Sequence, residues 1–275
     1  MFVARAALGA SLLPSFPRHS TMPITGFCLL SAAEVCGLLF MSVGPARPFI
    51  FLRYPPLAVH VCALIYYLSE DDIPVMVDVF GRELHPLRYV LWIISVSQMS
   101  LSIYYVVASI LAKRAAGMIP TSAKRKEELH ALIVRTLYSV LACFGFGFLA
   151  SWINLCGPSP SFDAVGPACV ASPLRMLPNA LGFALSCAAF YHMLWALGVL
   201  LIEAETSPLL VHSGVGRQFR LVRWAVVVVW HIFPLVWLVA ALGWVDGPTE
   251  RNLYVLGDLT AKFLLLFVYS TTISE

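Results

Sequence analysis

The stretch Gly257–Tyr269, GDLTAKFLLLFVY, is an apolar segment that contains one acid and one base, Asp258 and Lys262. The chain has four lysines, and the other three lie in one polar connection between residues 113 and 126. Residues four apart share a face of an α-helix, so the Asp258 carboxylate and the Lys262 amine are placed to pair. Because a charge at the bilayer centre costs on the order of 2.5 to 3.5 kcal/mol, such a pair is rarely without function.

The composition of the whole chain indicates a membrane protein. Of 275 residues, 60% are hydrophobic and 12% are charged, the net charge is +3 and the mean hydropathy is +0.83. The charged fraction is about half that of an average soluble domain. These values exclude a soluble domain, a disordered chain and a disulfide scaffold, and they leave a polytopic protein of the lipid bilayer. Nucleic acid is not an expected partner.

Seven apolar segments, each long enough to cross the hydrocarbon core, predict an all-α membrane protein with a seven-transmembrane helix bundle. Helices are expected because backbone groups in lipid must bond within the segment, and the ten-residue alternation of a barrel is missing. Residues 1–23 precede the first span and are typical of a tail or targeting segment, so residues 24–275 form the predicted domain. The predicted spans are 24–44, 49–69, 84–112, 129–153, 178–202, 218–244 and 253–273.

The distribution of charge predicts the orientation of the bundle. Basic residues concentrate at the first, third and fifth connections, whereas acidic residues mark the other three. By the positive-inside rule, the amino terminus is outside and the carboxyl terminus is cytoplasmic. The basic residues are Arg47, Arg53, Lys113, Arg114, Lys124, Arg125, Lys126, Arg217, Arg220 and Arg223. The acidic residues are Glu70, Asp71, Asp72, Asp78, Asp163, Asp246 and Glu250.

The seven cysteines give no indication of a metal site. Five lie in apolar segments, where a thiol behaves as a small hydrophobic group, and none has the spacing of metal ligands. Cys156 and Cys169 flank a Gly/Pro/Ser-rich stretch that we place outside the membrane. A disulfide and two free thiols both fit that position.

The Asp258 and Lys262 pair has three interpretations. The two charges could neutralise each other as an inert structural pair. They could couple ion movement in a transporter that has no chromophore. Alternatively, an apolar surrounding favours a neutral amine, which is the form that condenses with a carbonyl compound to give a Schiff base.

Two aromatic stripes bear on this choice. The sixth span reads WHIFPLVW and the third reads RYVLWIISVSQM. Helix packing explains such stripes, and so does a long apolar slot for a flat hydrocarbon facing the lysine. At helical spacing, the stripe of the sixth span is Trp230, Phe233, Pro234 and Trp237, and that of the third is Arg88, Leu91, Trp92, Ser95 and Met99.

In this order, DLTAK in the seventh span, WxxFPxxW in the sixth and RYxxW in the third resemble the microbial-type (type 1) rhodopsins over residues 24 to 273. Animal opsins also have a lysine in the seventh helix, but the Asn-Pro motif expected after it is missing. The resemblance implies retinal bound to Lys262 as a protonated Schiff base, with Asp258 as the counterion. It also implies that light isomerises the retinal.

The resemblance further implies the surroundings of the chromophore. Tyr67 corresponds to the tyrosine that hydrogen-bonds the seventh-helix carboxylate, and Arg88 to the arginine below the Schiff base. The implied pocket consists of Leu91, Trp92, Ser95, Met99, Cys143, Gly147, Phe183, Ser186, Cys187, Phe190, Trp230, Phe233, Pro234, Trp237 and Ala261.

Departures from the family pattern bear on function. Proton pumps of the family have carboxylates where this chain has Leu91 and Ser102, and leucine cannot accept a proton. A usual proton pump is therefore not expected. Glu34 in the first span could assist Asp258 only if its helix faces inward, which the sequence leaves open.

We therefore expect a sensory or regulatory photoreceptor, not itself an enzyme, that acts on a fused or partner module. Algal fusion proteins such as rhodopsin-bestrophin fusions have a similar arrangement, and the aromatic surfaces are compatible with a homo-oligomer. The alternative is a light-gated ion channel lined by the serines of the third span. The second span lacks the glutamates of algal cation channels, and we interpret the serines as packing residues.

Overall fold

The computed structural model describes residues 50–69, 76–77, 83–115, 123–153, 173–207 and 215–273. The predicted tail, the first predicted span with Glu34, and the connection with Cys156 and Cys169 lie outside these residues. Within them, the chain forms six α-helices and one β-hairpin. The elements are α1 (Ile50–Ser69), β1 (Met76–Val77), β2 (Glu83–Leu84), α2 (Pro86–Ala115), α3 (Ala123–Ile153), α4 (Pro173–Thr206), α5 (Val215–Ala241) and α6 (Gly247–Ile273).

Each of the helices α1 to α6 overlaps one predicted span, from the second to the seventh, although their ends differ by up to six residues. In the part of the chain that the structure describes, four helices have segments long and apolar enough to cross a membrane. These segments are Pro86–Ala108, Glu127–Leu149, Leu177–Thr206 and Gly216–Ala241. The chain is therefore an all-α membrane protein, as its composition predicts.

The six helices pack in chain order around a common core. Each helix contacts the next one along the chain, and α6 contacts α1. Val107, Leu197 and Phe219 are fully buried between helices, whereas large apolar side chains such as Tyr138 and Val228 are exposed. Exposed apolar side chains on long helices are the surface that contacts lipid, because hydrocarbon chains are as apolar as these residues.

The connection between α5 and α6 is short and has a defined geometry. Gly243 has a φ of 73°, which fits the left-handed position at the end of a helix. The Trp244 amide donates to the Val239 carbonyl and the Gly243 amide to the Ala240 carbonyl, both at 2.9 Å, which is the Schellman pattern. Asp246 then caps α6 by accepting a hydrogen bond of 2.9 Å from the Thr249 amide.

A small antiparallel hairpin lies between α1 and α2. Met76 pairs with Leu84, and Val77 with Glu83. The acidic composition of this connection predicts that it lies outside the membrane, but it gives no strand signal, because strands of two residues are too short for alternation to be recognised.

Candidate functional site

The central feature of the site is a buried cluster of three polar side chains. Lys262 Nζ lies 3.1 Å from Asp258 Oδ2, and the two side chains are 2% and 4% exposed. The Tyr67 hydroxyl donates a hydrogen bond of 2.7 Å to the same oxygen. The pairing expected from the four-residue spacing is therefore confirmed, and α1 supplies its third member.

A second set of residues extends this cluster along α6. Tyr254 lies one turn before Asp258 and two turns before Lys262, so the three share one face of the helix. The Arg88 guanidinium lies 5.1 Å from the centre of the Tyr254 ring, and both residues are buried. This arrangement stabilises a buried cation against the face of an aromatic ring.

An apolar cavity lies among helices α2 to α6. Its walls include stacked and crossed aromatic rings. Phe183 stacks on Trp237 at 4.0 Å with an interplanar angle of 10°, whereas Trp92 meets Phe233 edge to face at 5.4 Å. Aromatic side chains therefore form much of the cavity lining.

Eleven of the pocket residues implied by the resemblance line this cavity. They include all six implied pocket residues of the fourth and fifth predicted spans. The eleven are Trp92, Cys143, Gly147, Phe183, Ser186, Cys187, Phe190, Trp230, Phe233, Pro234 and Trp237.

The other four implied pocket residues are buried but are not among those that line the cavity: Leu91, Ser95, Met99 and Ala261. Leu91 packs with Tyr66, Tyr67 and Val255. Successive residues of an α-helix point in directions about 100° apart, so Leu91 faces α1 and α6 while Trp92 faces the cavity. Their contact with a chromophore stays a prediction.

Six cavity residues were not foreseen from the sequence: Tyr89, Val96, Phe144, Asn179, Met193 and Tyr254. A sequence signal exists for three of them. Tyr89 is the tyrosine of the RYxxW motif, Tyr254 lies on the Asp258 and Lys262 face, and Met193 lies three residues after Phe190 on one helical face. No pattern in the sequence distinguishes the remaining three from ordinary packing residues.

One glycine keeps a wall of the cavity open. A Cβ atom at Gly147 would lie 3.3 Å from Tyr89 Cε1 and 3.5 Å from Ser186 Oγ. By contrast, a Cβ atom at Gly145 would meet no atom within 4 Å. Glycine at position 147 therefore lets α2, α3 and α4 approach closely beside the cavity.

These residues fit an apolar, rod-shaped aldehyde such as retinal. Trp230 lines the cavity and packs in the same core cluster as Ala261, the neighbour of Lys262. Lys262 itself is not among the residues that line the cavity, whereas Tyr254, on the same face of α6, is.

Comparison with known proteins identifies the class. The profile of the family described as bacteriorhodopsin-like protein matches residues 57–274. The chain belongs to this family, whose members are integral multi-pass membrane proteins and bind retinal, so the resemblance to microbial rhodopsins is confirmed.

Solved structures of other microbial rhodopsins share the fold. The transmembrane domain of the Salpingoeca rosetta rhodopsin phosphodiesterase is 17% identical, with a TM-score of 0.66 over 99% of this chain and 93% of that one. The thermophilic rhodopsin from Rubrobacter xylanophilus is 22% identical, with a TM-score of 0.65 over 92% and 95%. The light-driven proton pump of Coccomyxa subellipsoidea is 15% identical, with a TM-score of 0.65 over 95% and 99%. No curated protein matches the chain.

Proposed function

We propose that this chain is a retinal-binding photoreceptor in which retinal is covalently attached to Lys262 and Asp258 is the counterion. The observation that carries the proposal is the buried cluster of Lys262, Asp258 and Tyr67 beside an aromatic cavity. An inert ion pair would account for the two charges, but not for the cavity next to them.

Each member of the cluster has a distinct role in this proposal. Retinal supplies light absorption and isomerisation. Lys262 supplies the point of attachment, and Asp258 stabilises the positive charge on Nζ at a distance of 3.1 Å. Tyr67 donates to Oδ2 and so holds the orientation of the carboxylate. The rings of Trp92, Trp230 and Trp237 keep water away from the chain of the ligand.

Two residues support a regulatory role over usual proton pumping. Leu91 is 4% exposed in an apolar cluster with Tyr66, Tyr67 and Val255, at the position where the resemblance leads us to expect a proton acceptor. Ser102, at the other expected carboxylate position, donates to the Gln98 carbonyl at 2.7 Å. Neither side chain carries a carboxylate. The pump from Coccomyxa, at 15% identity, resembles this chain in fold alone.

The proposed output is a change in helix packing that reaches a fused or associated module. At the end of α5 opposite the short turn, Arg220 Nε lies 2.5 Å from Glu205 Oε1 and Arg223 Nη2 lies 3.0 Å from Glu205 Oε2, which links α5 to α4. A displacement at Lys262 alters the packing of α6 on α5 and so the balance between two arrangements of the bundle. One structural neighbour is the transmembrane domain of a rhodopsin phosphodiesterase, but at 17% identity it resembles this chain in fold alone.

The proposal is tested by adding all-trans-retinal to the purified apoprotein and recording the absorption spectrum. We expect a visible band, together with an adduct that survives denaturation once borohydride has reduced its C=N bond to a secondary amine. Lys262→Ala and Lys262→Arg should abolish the adduct, whereas the control Lys113→Ala should retain it. A colourless wild-type protein would refute the proposed function and return the pair to a structural or ion-coupling role. A retained adduct in Lys262→Ala would refute the attachment site.

The channel alternative depends on the serines of α2. Ser100 donates to the Val96 carbonyl at 2.8 Å, and both Ser100 and Ser102 are fully buried. Hydroxyl groups that bond their own helix support the packing interpretation. Photocurrents in voltage-clamped cells that express residues 1–275 would instead support a channel.

A further inference from the structure

One polar side chain on the cavity wall has no role in the proposed attachment. Asn179 of α4 lines the cavity and is 1% exposed. Its Nδ2 atom is buried and has no hydrogen-bond partner in the part of the chain that the structure describes. Buried amide groups are almost always paired, so this donor lacks the acceptor that a ligand would supply.

The position of Asn179 places it far from the attachment point. Lys262 belongs to α6, which packs on α5 and α1, whereas Asn179 belongs to α4, which packs on α3 and α5. Phe183, one turn after Asn179, forms the stack with Trp237. On the α6 side the cavity is lined by Tyr254, which shares a helical face with Lys262, and on the opposite side it is lined by Asn179. A rod-shaped ligand that is attached to Lys262 and enters the cavity from α6 therefore extends its distal ring toward the wall that contains Asn179.

The other polar group of α4 on this wall is already satisfied. The Ser186 hydroxyl donates to the Cys143 carbonyl at 2.7 Å and so has its acceptor within the protein. Asn179 differs, because its Nδ2 atom has no hydrogen-bond partner among the described residues. Trp92 Nε1, on the α2 side of the cavity, is the other buried donor of the lining without such a partner.

We infer that the cavity selects a retinoid whose ring carries an oxygen substituent, a hydroxyl or a keto group, that accepts a hydrogen bond from Asn179 Nδ2. This inference rests on the proposed function and specifies its ligand class. A purely hydrocarbon ring leaves the amide unpaired in an apolar site, whereas an oxygenated ring satisfies it. A single hydrogen bond of ordinary strength corresponds to a preference of roughly fivefold.

The test compares three aldehydes on the same apoprotein: all-trans-retinal, 3-hydroxyretinal and 4-oxoretinal. Each is titrated, and the concentration that gives half-maximal pigment is measured. We expect at least one oxygenated aldehyde to bind roughly fivefold more tightly than retinal. Asn179→Leu, which is similar in size but apolar, should remove this ratio. Met193→Leu, a cavity residue of the same helix, should change all three affinities alike and keep the ratio.

The outcomes separate this inference from the function on which it rests. Equal affinities in the wild-type protein would overturn the inference and leave the photoreceptor proposal intact. A preference that persists in Asn179→Leu would overturn the assignment of Asn179. If Asn179→Leu forms no pigment with any aldehyde, the same ratio is measured in Asn179→Ser. A wild-type protein that is colourless with all three would refute the proposed function, and the ring inference with it.

Discussion

At the residue scale, one carboxylate oxygen serves two neighbours. Oδ2 of Asp258 contacts Lys262 Nζ and accepts the hydroxyl of Tyr67. The two contacts differ in kind, since Lys262 balances the charge of the Asp258 carboxylate and Tyr67 fixes its orientation. Substitutions can therefore separate charge from orientation at this site.

Removing the charge should have the larger spectral effect. In Asp258→Asn the amide keeps the shape of the side chain but no longer balances a positive charge on Nζ in a buried site. We expect the reconstituted pigment to lose most of its visible band at neutral pH, with absorption moving to the near-ultraviolet. The measurement is an absorption spectrum at pH 7. Asp246→Asn, at the cap of the same helix, is the matched control and should keep the visible band. An unchanged visible band in Asp258→Asn would refute the counterion role.

Removing only the hydrogen bond should have a milder effect. Tyr67→Phe deletes the 2.7 Å contact to Oδ2 and leaves both charges in place. We expect pigment to form with a shifted visible maximum, and the free energy of unfolding to fall by about 1.5 to 3 kcal/mol, the usual range for a hydrogen bond to a charged group. Tyr66→Phe removes the hydroxyl of the neighbouring tyrosine, leaves the Tyr67 contact in place and is the control. The two variants are compared by spectroscopy and by denaturant unfolding. Identical results for both would contradict the role of Tyr67.

At the element scale, the point where α3 meets α2 and α4 determines the width of the cavity. Gly147 allows this approach, since a Cβ atom there would crowd Tyr89 and Ser186. Both neighbours line the cavity, and they belong to different helices. A larger side chain at position 147 must either displace a helix or fill the space that a ligand would use.

Gly147→Leu should therefore impair binding of retinal. We expect the half-saturating concentration to rise roughly tenfold, which corresponds to an overpacking cost of about 1.4 kcal/mol. Gly145→Leu introduces the same side chain on the same helix at a position where nothing lies within 4 Å of the added Cβ, and it is the control. Retinal titration of both apoproteins gives the comparison. Equal affinities would show that Gly147 does not limit the cavity.

The sequence predicts the helices well but not all of their ends. The fourth predicted span begins at residue 129, whereas α3 begins at Ala123. Hydropathy locates the apolar part of a helix, and the charged turn AKRKEE that precedes it extends the same helix beyond that part. The hairpin between α1 and α2 is not predicted, because each of its strands has only two residues.

The sequence also predicts only some of the residues of the candidate site. Residues on strong stripes, such as Trp92, Trp230 and Trp237, are predicted from spacing and resemblance together, and the structure places them on the cavity. Leu91 and Ser95 belong to the same stripe as Trp92, but they are not on the cavity, because a helical stripe is broader than the face that one neighbour sees. Asn179 lies before an apolar run with no partner visible in the sequence, so only the packing of α4 reveals it.

At the scale of the whole molecule, the order of the helices around the core and the distribution of charge together imply an orientation. The hairpin connection is acidic, and the connection between α2 and α3 is basic. The positive-inside rule places the first outside and the second in the cytoplasm. This orientation stays a prediction.

The orientation can be tested with epitope tags inserted after Gly81 or after Gly117. We expect an antibody to stain intact cells for the tag after Gly81, and only permeabilised cells for the tag after Gly117. Pigment formation by both tagged proteins checks that they fold. The reverse staining pattern would contradict the orientation predicted from charge.

The short turn at Gly243 and Asp246 also sets where a movement would be largest. It joins α5 and α6 at one end, while the salt bridges of Glu205 tie the opposite end of α5 to α4. We therefore expect α6 to tilt about this turn as a lever. At about 1.5 Å per residue, Lys262 lies roughly 22 Å and Ile273 roughly 39 Å from the start of α6 at Gly247. A small displacement of Lys262 therefore corresponds to nearly twice that displacement at Ile273.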